Sequence, residues 1–522
     1  MIEVILLLWI VGVSLVTWAL LEKRPRITHG SAAWGEPPAE LLRAAQPGNV
    51  YIGQWDTQAV LLSREAAAQH GVILGGSGTG KSRGYFLPNA ARAGAMRTSL
   101  ICTDPKGELW QYTSGFHERA TRFDPADPQR SACFNWVPLC KDARLSELCA
   151  RAIIESGQTT HTDQAWLDLE TAFLSALFSH AATTEAPTPL TAYKLFTCQP
   201  QPALIEQLLA SPSRVAREQA QVFLQTQERM RGSIVPVVAA RLQFLRDDSV
   251  MRFTSASTKP PDFSDLRKKP GAVYYCIREQ DIARLRPLTS VFFSVLLEQL
   301  GSGEKGDVPV VLLLDEFANI GTIPGFETII SVARGRGLAL WLGIQSLSQL
   351  EARYGKANAQ TILTNCATKI ALHGLDVVSA KYISDALGES TVSATRRSSA
   401  HFLGLVPSPT VTLGDLEHRR PLLTPDEVRR LASNRAIAIV SNYQVMQLEK
   451  PLYLSPQYEK LTAGRQPLGE ALALSFEAEE SATSDGSKKA HRAEGKQHRD
   501  EPPEFPKGLE EILLGEWESD CR

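Results

Sequence analysis

Gly71-Val72-Ile73-Leu74-Gly75-Gly76-Ser77-Gly78-Thr79-Gly80-Lys81-Ser82 is the stretch from which the rest of this chain can be ordered. Its first four residues form a short apolar strand signal. The remaining eight complete the G-x-x-x-x-G-K-[ST] pattern of a loop that cradles phosphate and then enters a helix. The glycines let the backbone fold tightly, so that successive N–H groups point at one anion. Lys81 then reaches the outer phosphate oxygens, and the Ser82 hydroxyl offers a ligand to Mg²⁺. The stretch predicts a site for ATP and Mg²⁺ built from Gly75, Gly76, Ser77, Gly78, Thr79, Gly80, Lys81 and Ser82, on an α/β fold. A Gly/Ser-rich linker would need neither the apolar strand before the loop nor Lys-Ser at its end.

Downstream, three further strands are expected to end at the same edge. Residues 99–103 lead into Asp104-Pro105-Lys106-Gly107-Glu108, which places Asp104 where ligands bind in open α/β sheets, or else makes it a turn-forming residue. Residues 308–314 are almost wholly apolar, as expected of a central parallel strand buried on both faces. Asp315 and Glu316 follow it. Asp315 is expected to hold Mg²⁺ through water, and Glu316 to polarise the water that attacks the terminal phosphate. The loop strand and this strand can lie side by side, with both C-terminal ends at one nucleotide. A third strand, 338–344, delivers Gln345 as a phosphate sensor and water-positioning group. Strands at 369–372 and 436–440 bring the expected sheet to at least six.

Arg334 precedes the 338–344 strand at its other end, roughly 25 to 35 Å from Gln345 at about 3.3 Å per residue. One subunit cannot easily bring both to one nucleotide, whereas a ring of subunits can. Arg334 is therefore the candidate arginine finger acting in trans, with Arg336 second.

Upstream, residues 4–21 are about eighteen residues without a charge, enough to cross most of a hydrocarbon core. Glu3 precedes them and Lys23, Arg24 and Arg26 follow, so the reading is a single membrane span with its N-terminus outside and the bulk in the cytoplasm. The polar connector after it leads to a first hairpin beginning near residue 50. The 522 residues, 43% hydrophobic and 21% charged, suit a folded body with more than one core, and the net charge of -2 excludes a globally basic nucleic-acid binder. The eight cysteines show no C-x-x-C spacing, so neither a zinc site nor a disulfide framework is expected.

From 145 to about 269 the strand signals give way to helical periodicity, with Trp166, Leu169, Phe173 and Leu177 on one face. This reads as an all-α segment inserted into the α/β body. Its arginines 214, 217, 229, 231, 241, 246 and 252 form either a solvated face or an electrostatic footprint for DNA or an acidic partner. From about 461 the composition is that of a disordered charged tail. The expected organisation is 1–26 anchor and flank, 27–144 and 270–460 the two parts of a nucleotide-binding domain, 145–269 the insert, and 461–522 the tail.

These motifs have an order that resembles one family. Gly75 to Ser82, Thr103-Asp104-Pro105-Lys106-Gly107-Glu108, Leu314-Asp315-Glu316-Phe317, Gly335-Arg336-Gly337-Leu338, Gly343-Ile344-Gln345-Ser346 and Arg420-Pro421-Leu422-Leu423-Thr424 together look like the coupling-protein ATPases of type IV secretion and conjugation. The resemblance implies a RecA-like hexameric motor with a mainly parallel sheet, anchored in the cell's inner membrane. Its partners would be DNA, as a relaxase-bound single strand, or effector proteins, together with the components of a type IV secretion channel. Lys81 and Ser82 would bind phosphate and Mg²⁺, Asp315 and Glu316 serve hydrolysis, Gln345 sense the nucleotide, and the insert read the cargo. Many members have two membrane spans, where this chain shows one. Two other readings share these motifs: a plasmid- or chromosome-pumping translocase, and a receptor platform gated by ATP. No L-S-G-G-Q signature lies between the loop and Asp315, which excludes an ABC transporter.

Overall fold

The computed structural model describes residues 30–56, 58–156, 164–302, 306–399 and 411–450. The expected span at 4–21 and the tail from 461 lie outside the described residues. Among the described residues no helix is long and apolar enough to cross a membrane.

One sheet of eleven strands organises the body. The strands are β1 (Val50–Trp55), β2 (Gln58–Leu62), β3 (Gly71–Leu74), β4 (Ser99–Asp104), β5 (Ala120–Phe123), β6 (Ala272–Cys276), β7 (Val310–Leu314), β8 (Leu338–Ile344), β9 (Thr368–Ala371), β12 (Arg435–Val440) and β13 (Met446–Glu449). Their spatial order is β2-β1-β13-β12-β9-β3-β8-β7-β4-β6-β5. From β9 to β5 all neighbours run parallel. From β2 to the β12–β9 pair all run antiparallel. The loop strand β3 and the Asp315 strand β7 are not side by side, as the sequence reading expected, because β8 pairs with both. That insertion puts Gln345 between the two.

The central strands are buried on both faces because every position is apolar, and their alternation divides them between two cores. Leu312 and Leu314 of β7 and Leu338, Leu340, Leu342 and Ile344 of β8 face one core. Val311, Leu313, Ala339 and Trp341 face the other. The first core continues into helices lying between β5 and β6. Seven α-helices fall there, running from Ala143–Glu155 to Asp248–Ser255, with no strand among the described residues. Side chains cap several N-termini, as Asp142 accepts from the Leu145 N–H, Ser213 from Ala216 and Asp247 from Ser249 and Val250. Phe173 and Leu177 are buried and Trp166 and Leu169 half-buried on the same core, as their spacing implied. Several of the arginines are tied down locally. Arg217 donates to the carbonyls of Ser211 and Pro212, Arg231 to Leu224, and Arg214 pairs with Glu218 at 3.1 Å.

A second, two-stranded ribbon joins β10 (Glu389–Ser399) to β11 (Val411–Pro421). It is stitched at its base to the start of the described chain. The Ala32 N–H donates to Glu389 O at 2.9 Å and Thr391 N–H to Gly30 O at 3.1 Å, while away from the ribbon Gly35 N–H donates to Val445 O, just before β13, at 2.9 Å. Just past the ribbon, Thr424 and Glu427 form a reciprocal capping box at a short helix, and Arg420 pairs with Glu427 at 2.5 Å.

Candidate functional site

The glycine loop leaves β3 at the C-terminal edge of the parallel strands, where their carbonyl ends open outward. Gly78 and Gly80 take φ of +73° and +87°, a region that costs an L side chain about 1–2 kcal/mol. The helix that follows starts as a π-turn over Ser82–Phe86 before continuing as α1 (Leu87–Ala95). Pro88 accounts for the widened turn, since its ring would strike the carbonyl of residue 84 in a regular α-turn.

Lys81 is buried. Its ammonium donates back to the carbonyls of Gly75 at 2.6 Å and Gly76 at 3.2 Å, and stands 4.0 Å from Glu316 Oε1. Burial pushes its pKa down, and Glu316 and Asp315 oppose this. Ser82 Oγ donates to Asp315 Oδ2 at 2.5 Å. Burial likewise raises the Asp315 carboxyl above its ordinary range, against the Ser82 hydrogen bond. Gly343 on β8 makes room for this carboxylate, for a Cβ there would lie 2.8 Å from Asp315 Oδ1 and 2.8 Å from the Phe86 ring.

Glu316 adopts φ +54°, the left-handed region, which is costly for a residue with a Cβ. That turn aims its carboxylate across the strand ends. Oε2 accepts from Gln345 Nε2 at 2.7 Å and from Asn319 Nδ2 at 3.1 Å. The Thr103 hydroxyl holds the backbone beneath, donating to Asp315 O at 2.8 Å. Lys81, Ser82, Asp315, Glu316 and Gln345 thus converge from β3, β7 and β8.

Lys81, Ser82, Glu316 and Gln345 border a cavity of about 570 Å³, within the usual range for a small-molecule site, and Asp315 stands behind Ser82. The loop residues 76–83 form one wall, and Lys106, Glu108, Glu279, Arg286, Glu316, Asn319 and Gln345 line the rest. The residues fit a nucleotide with Mg²⁺. An ammonium folded onto its own loop's carbonyls has donors to give to a phosphate. The Ser82 hydroxyl and Asp315 carboxylate, side by side, supply the hard oxygen donors that Mg²⁺ takes. Among the described residues no cluster of three or more His, Cys, Asp or Glu could hold another metal, and the described cysteines are free thiols.

Asp104 does not line this cavity. Its Oδ2 accepts from the Trp110 N–H at 2.8 Å, and burial raises its pKa to about 6, so of the two roles open to it the turn-and-cap role is the one observed. Arg334 is exposed at the end of the helix Phe326–Ala333, across the strand from Gln345, and is likewise absent from the cavity. Asn319 and Arg286 are among the lining residues that escaped the sequence reading. Asn319 lies just past Glu316 and orients it. Arg286 opens the helix Arg286–Ser302, and its Nε is buried without a hydrogen-bond partner. A cation at a helix N-terminus opposes the helix dipole, and that was the available signal.

A mainly parallel sheet with a glycine loop and paired carboxylates at its C-terminal edge defines the RecA-like class of P-loop proteins. Within that class the chain belongs to the family described as Type IV secretory system Conjugative DNA transfer, which matches residues 19–479. It is similar to Protein VirD4 of Agrobacterium fabrum, 27% identical over 409 residues that cover 74% of this chain and 59% of VirD4. It is also similar to the conjugal transfer protein TraG of Escherichia coli, 25% identical over 526 residues, covering 85% of this chain and 79% of TraG. The chain therefore spans about three fifths of the length of the VirD4 relatives, with coverage of 59%, 58% and 59%. In fold it is similar to the bacterial conjugative coupling protein TrwBdeltaN70, with a TM-score of 0.66 and 19% identity over 82% of this chain and 95% of that one. A further TrwB structure, in complex with ADP and Mg²⁺, matches with a TM-score of 0.65 at 19% identity over 82% of this chain and 94% of that one.

Proposed function

We propose that this protein is an ATP-driven coupling protein, which recruits DNA, as a relaxase-bound single strand, or an effector protein to a type IV secretion channel and powers its transfer. The observation that carries the reading is the convergence of Lys81, Ser82, Glu316 and Gln345 on one cavity, with Asp315 hydrogen-bonded to Ser82 behind it, in a chain of this family.

In this reading the loop N–H groups and Lys81 hold the phosphates of ATP. Bound Mg²⁺, held by Ser82 and Asp315, would neutralise charge on the phosphate oxygens. Glu316 orients and polarises the attacking water, and Gln345 and Asn319 keep its carboxylate aimed. Arg334 serves the neighbouring subunit's nucleotide in a homohexamer. The anchor at 4–21 holds the ring at the inner membrane with the bulk in the cytoplasm. The nucleotide-binding parts are 27–144 and 270–460, the helical insert 145–269 reads the cargo, and 461–522 is a tail.

The test is steady-state ATP turnover of the purified protein with and without single-stranded DNA across a salt series. A motor that grips the strand through phosphates is stimulated by DNA, and the stimulation falls steeply with salt. Turnover indifferent to DNA at every salt concentration leaves a nucleotide-gated receptor and rejects the DNA motor.

A further inference from the structure

The last described strand returns to the phosphate edge by two reversals. β12 is antiparallel to β9, and β13 is antiparallel to β12, so β13 points the same way as β9 and its parallel neighbour β3. The residue after β13 is Lys450, and it emerges where β3 opens into the glycine loop. Its backbone N–H donates to Asn434 O at 2.8 Å, and its side chain turns inward until the residue is 3% exposed. The ammonium donates to the carbonyl of Thr79, within the loop. The methylenes lie against Gly84, where a Cβ would stand 2.8 Å from Lys450 Cγ and 3.0 Å from Cδ.

Among the described ion pairs none involves Lys450, and burial lowers its pKa without an opposing carboxylate. His373, just past β9, is near enough for this charge to add to the burial that lowers its own pKa, and its Nδ1 is buried without a partner. A buried ammonium whose partner is one carbonyl is costly to keep, and a methionine would fill the same space without that cost. The geometry says what the ammonium does. In a trans peptide the C=O and the following N–H point to opposite sides. Drawing the Thr79 carbonyl outward therefore turns the Gly80 N–H inward, toward the hollow of the loop.

We propose that Lys450 is a positioning residue of the nucleotide site. It holds the loop in its phosphate-binding shape from behind, and so makes the antiparallel extension of the sheet part of the ATPase site. This rests on the reading of the loop as an ATP site.

Two variants of the full chain test it. Lys450→Met keeps the stem against Gly84 and removes the donor; Gly84→Ala keeps the donor and pushes the stem off its seat. Loop shape serves ground and transition states alike, so Lys450→Met should raise KM for ATP about tenfold or more and leave kcat within about twofold. Gly84→Ala should shift KM in the same direction, and should Lys450→Met fail to fold, Gly84→Ala decides alone. Affinity for fluorescent ADP should fall in parallel. An unchanged KM, or a lower kcat at unchanged KM as a reduced folded fraction gives, overturns the role of Lys450. Wild-type protein that neither binds the fluorescent ADP nor turns over ATP overturns the site itself.

Discussion

His70 lies just before β3, buried, and ties two elements together. Its Nε2–H donates to Ile330 O at 2.8 Å, in the helix that ends at Arg334, and its Nδ1 accepts from the Leu340 N–H of β8 at 3.2 Å. Accepting from an N–H fixes the neutral tautomer, because a proton on Nδ1 would face that N–H directly. Burial, helped by the Arg334 charge and opposed by the Ile330 bond, lowers its pKa to about 4 from 6.5. A folded pKa below the unfolded one means that the unfolded chain binds the proton first as pH falls. The stabilisation is complete above about pH 6.5 and is lost progressively down to about pH 4. Linking the two titration curves, the loss between pH 7 and pH 5 is about 1.8 kcal/mol. Glutamine can donate to Ile330 and accept from Leu340 without titrating. Denaturant unfolding of wild type and His70→Gln at both pH values should therefore show the wild type losing about 2 kcal/mol more than the variant. His117, also lowered to about 4 by burial, is common to both proteins and cancels. Equal losses in the two proteins would refute the neutral-histidine account.

Four further outcomes follow from the site. Lys81→Ala should abolish ATP binding, while Glu316→Gln should retain binding and lose about 10²–10⁴-fold in turnover, as read by nucleotide binding and steady-state rates; normal turnover by Glu316→Gln assigns the water to another residue. Gly343→Ala should cost about 1–3 kcal/mol by overpacking Asp315 against Phe86, with Mg²⁺-dependent binding weakened more than global stability, and a calorimetric comparison checks both. Arg334→Ala and Lys81→Ala should each be inactive, yet regain some ATPase activity when co-assembled; full turnover by Arg334→Ala alone, or mixtures that never exceed the separate proteins, would exclude a finger in trans. Removing residues 1–26 should move the protein from the membrane to the soluble fraction, and wholly soluble full-length protein contradicts the span.

The site was legible where chemistry follows directly on a strand. The glycine loop after β3, Asp315-Glu316 after β7 and Gln345 after β8 all sit at the end of an apolar run that announces itself, and β8 was read with its observed limits. β5 was missed because four residues, Ala120–Phe123, with alternating burial give too short a pattern. β10 was missed because Ser, Thr and Arg dominate it, and β11 because its few apolar residues are scattered among Gly, charged residues and Pro; no apolar run marks a ribbon outside the main sheet. Strand order was out of reach for another reason. Nothing local to β3 and β7 says that β8 intervenes, since that follows from pairing across distant segments. Lys450 is the extreme case, separated by 371 residues from the carbonyl it holds.

The stitching at the start of the described chain has a mechanical side. Residues 30–35 are bonded on one flank to the base of the β10–β11 ribbon and on the other to Val445, one residue before β13. A load entering at residue 30 along the chain meets the Gly30, Ala32 and Gly35 hydrogen bonds as a short strip. Such a strip shares tension among its bonds instead of opening one at a time. The load then divides between the ribbon and β13, whose next residue is the lysine on the glycine loop. Tension at that end of the polypeptide is thus delivered within four residues of strand of the side chain that holds the phosphate cradle.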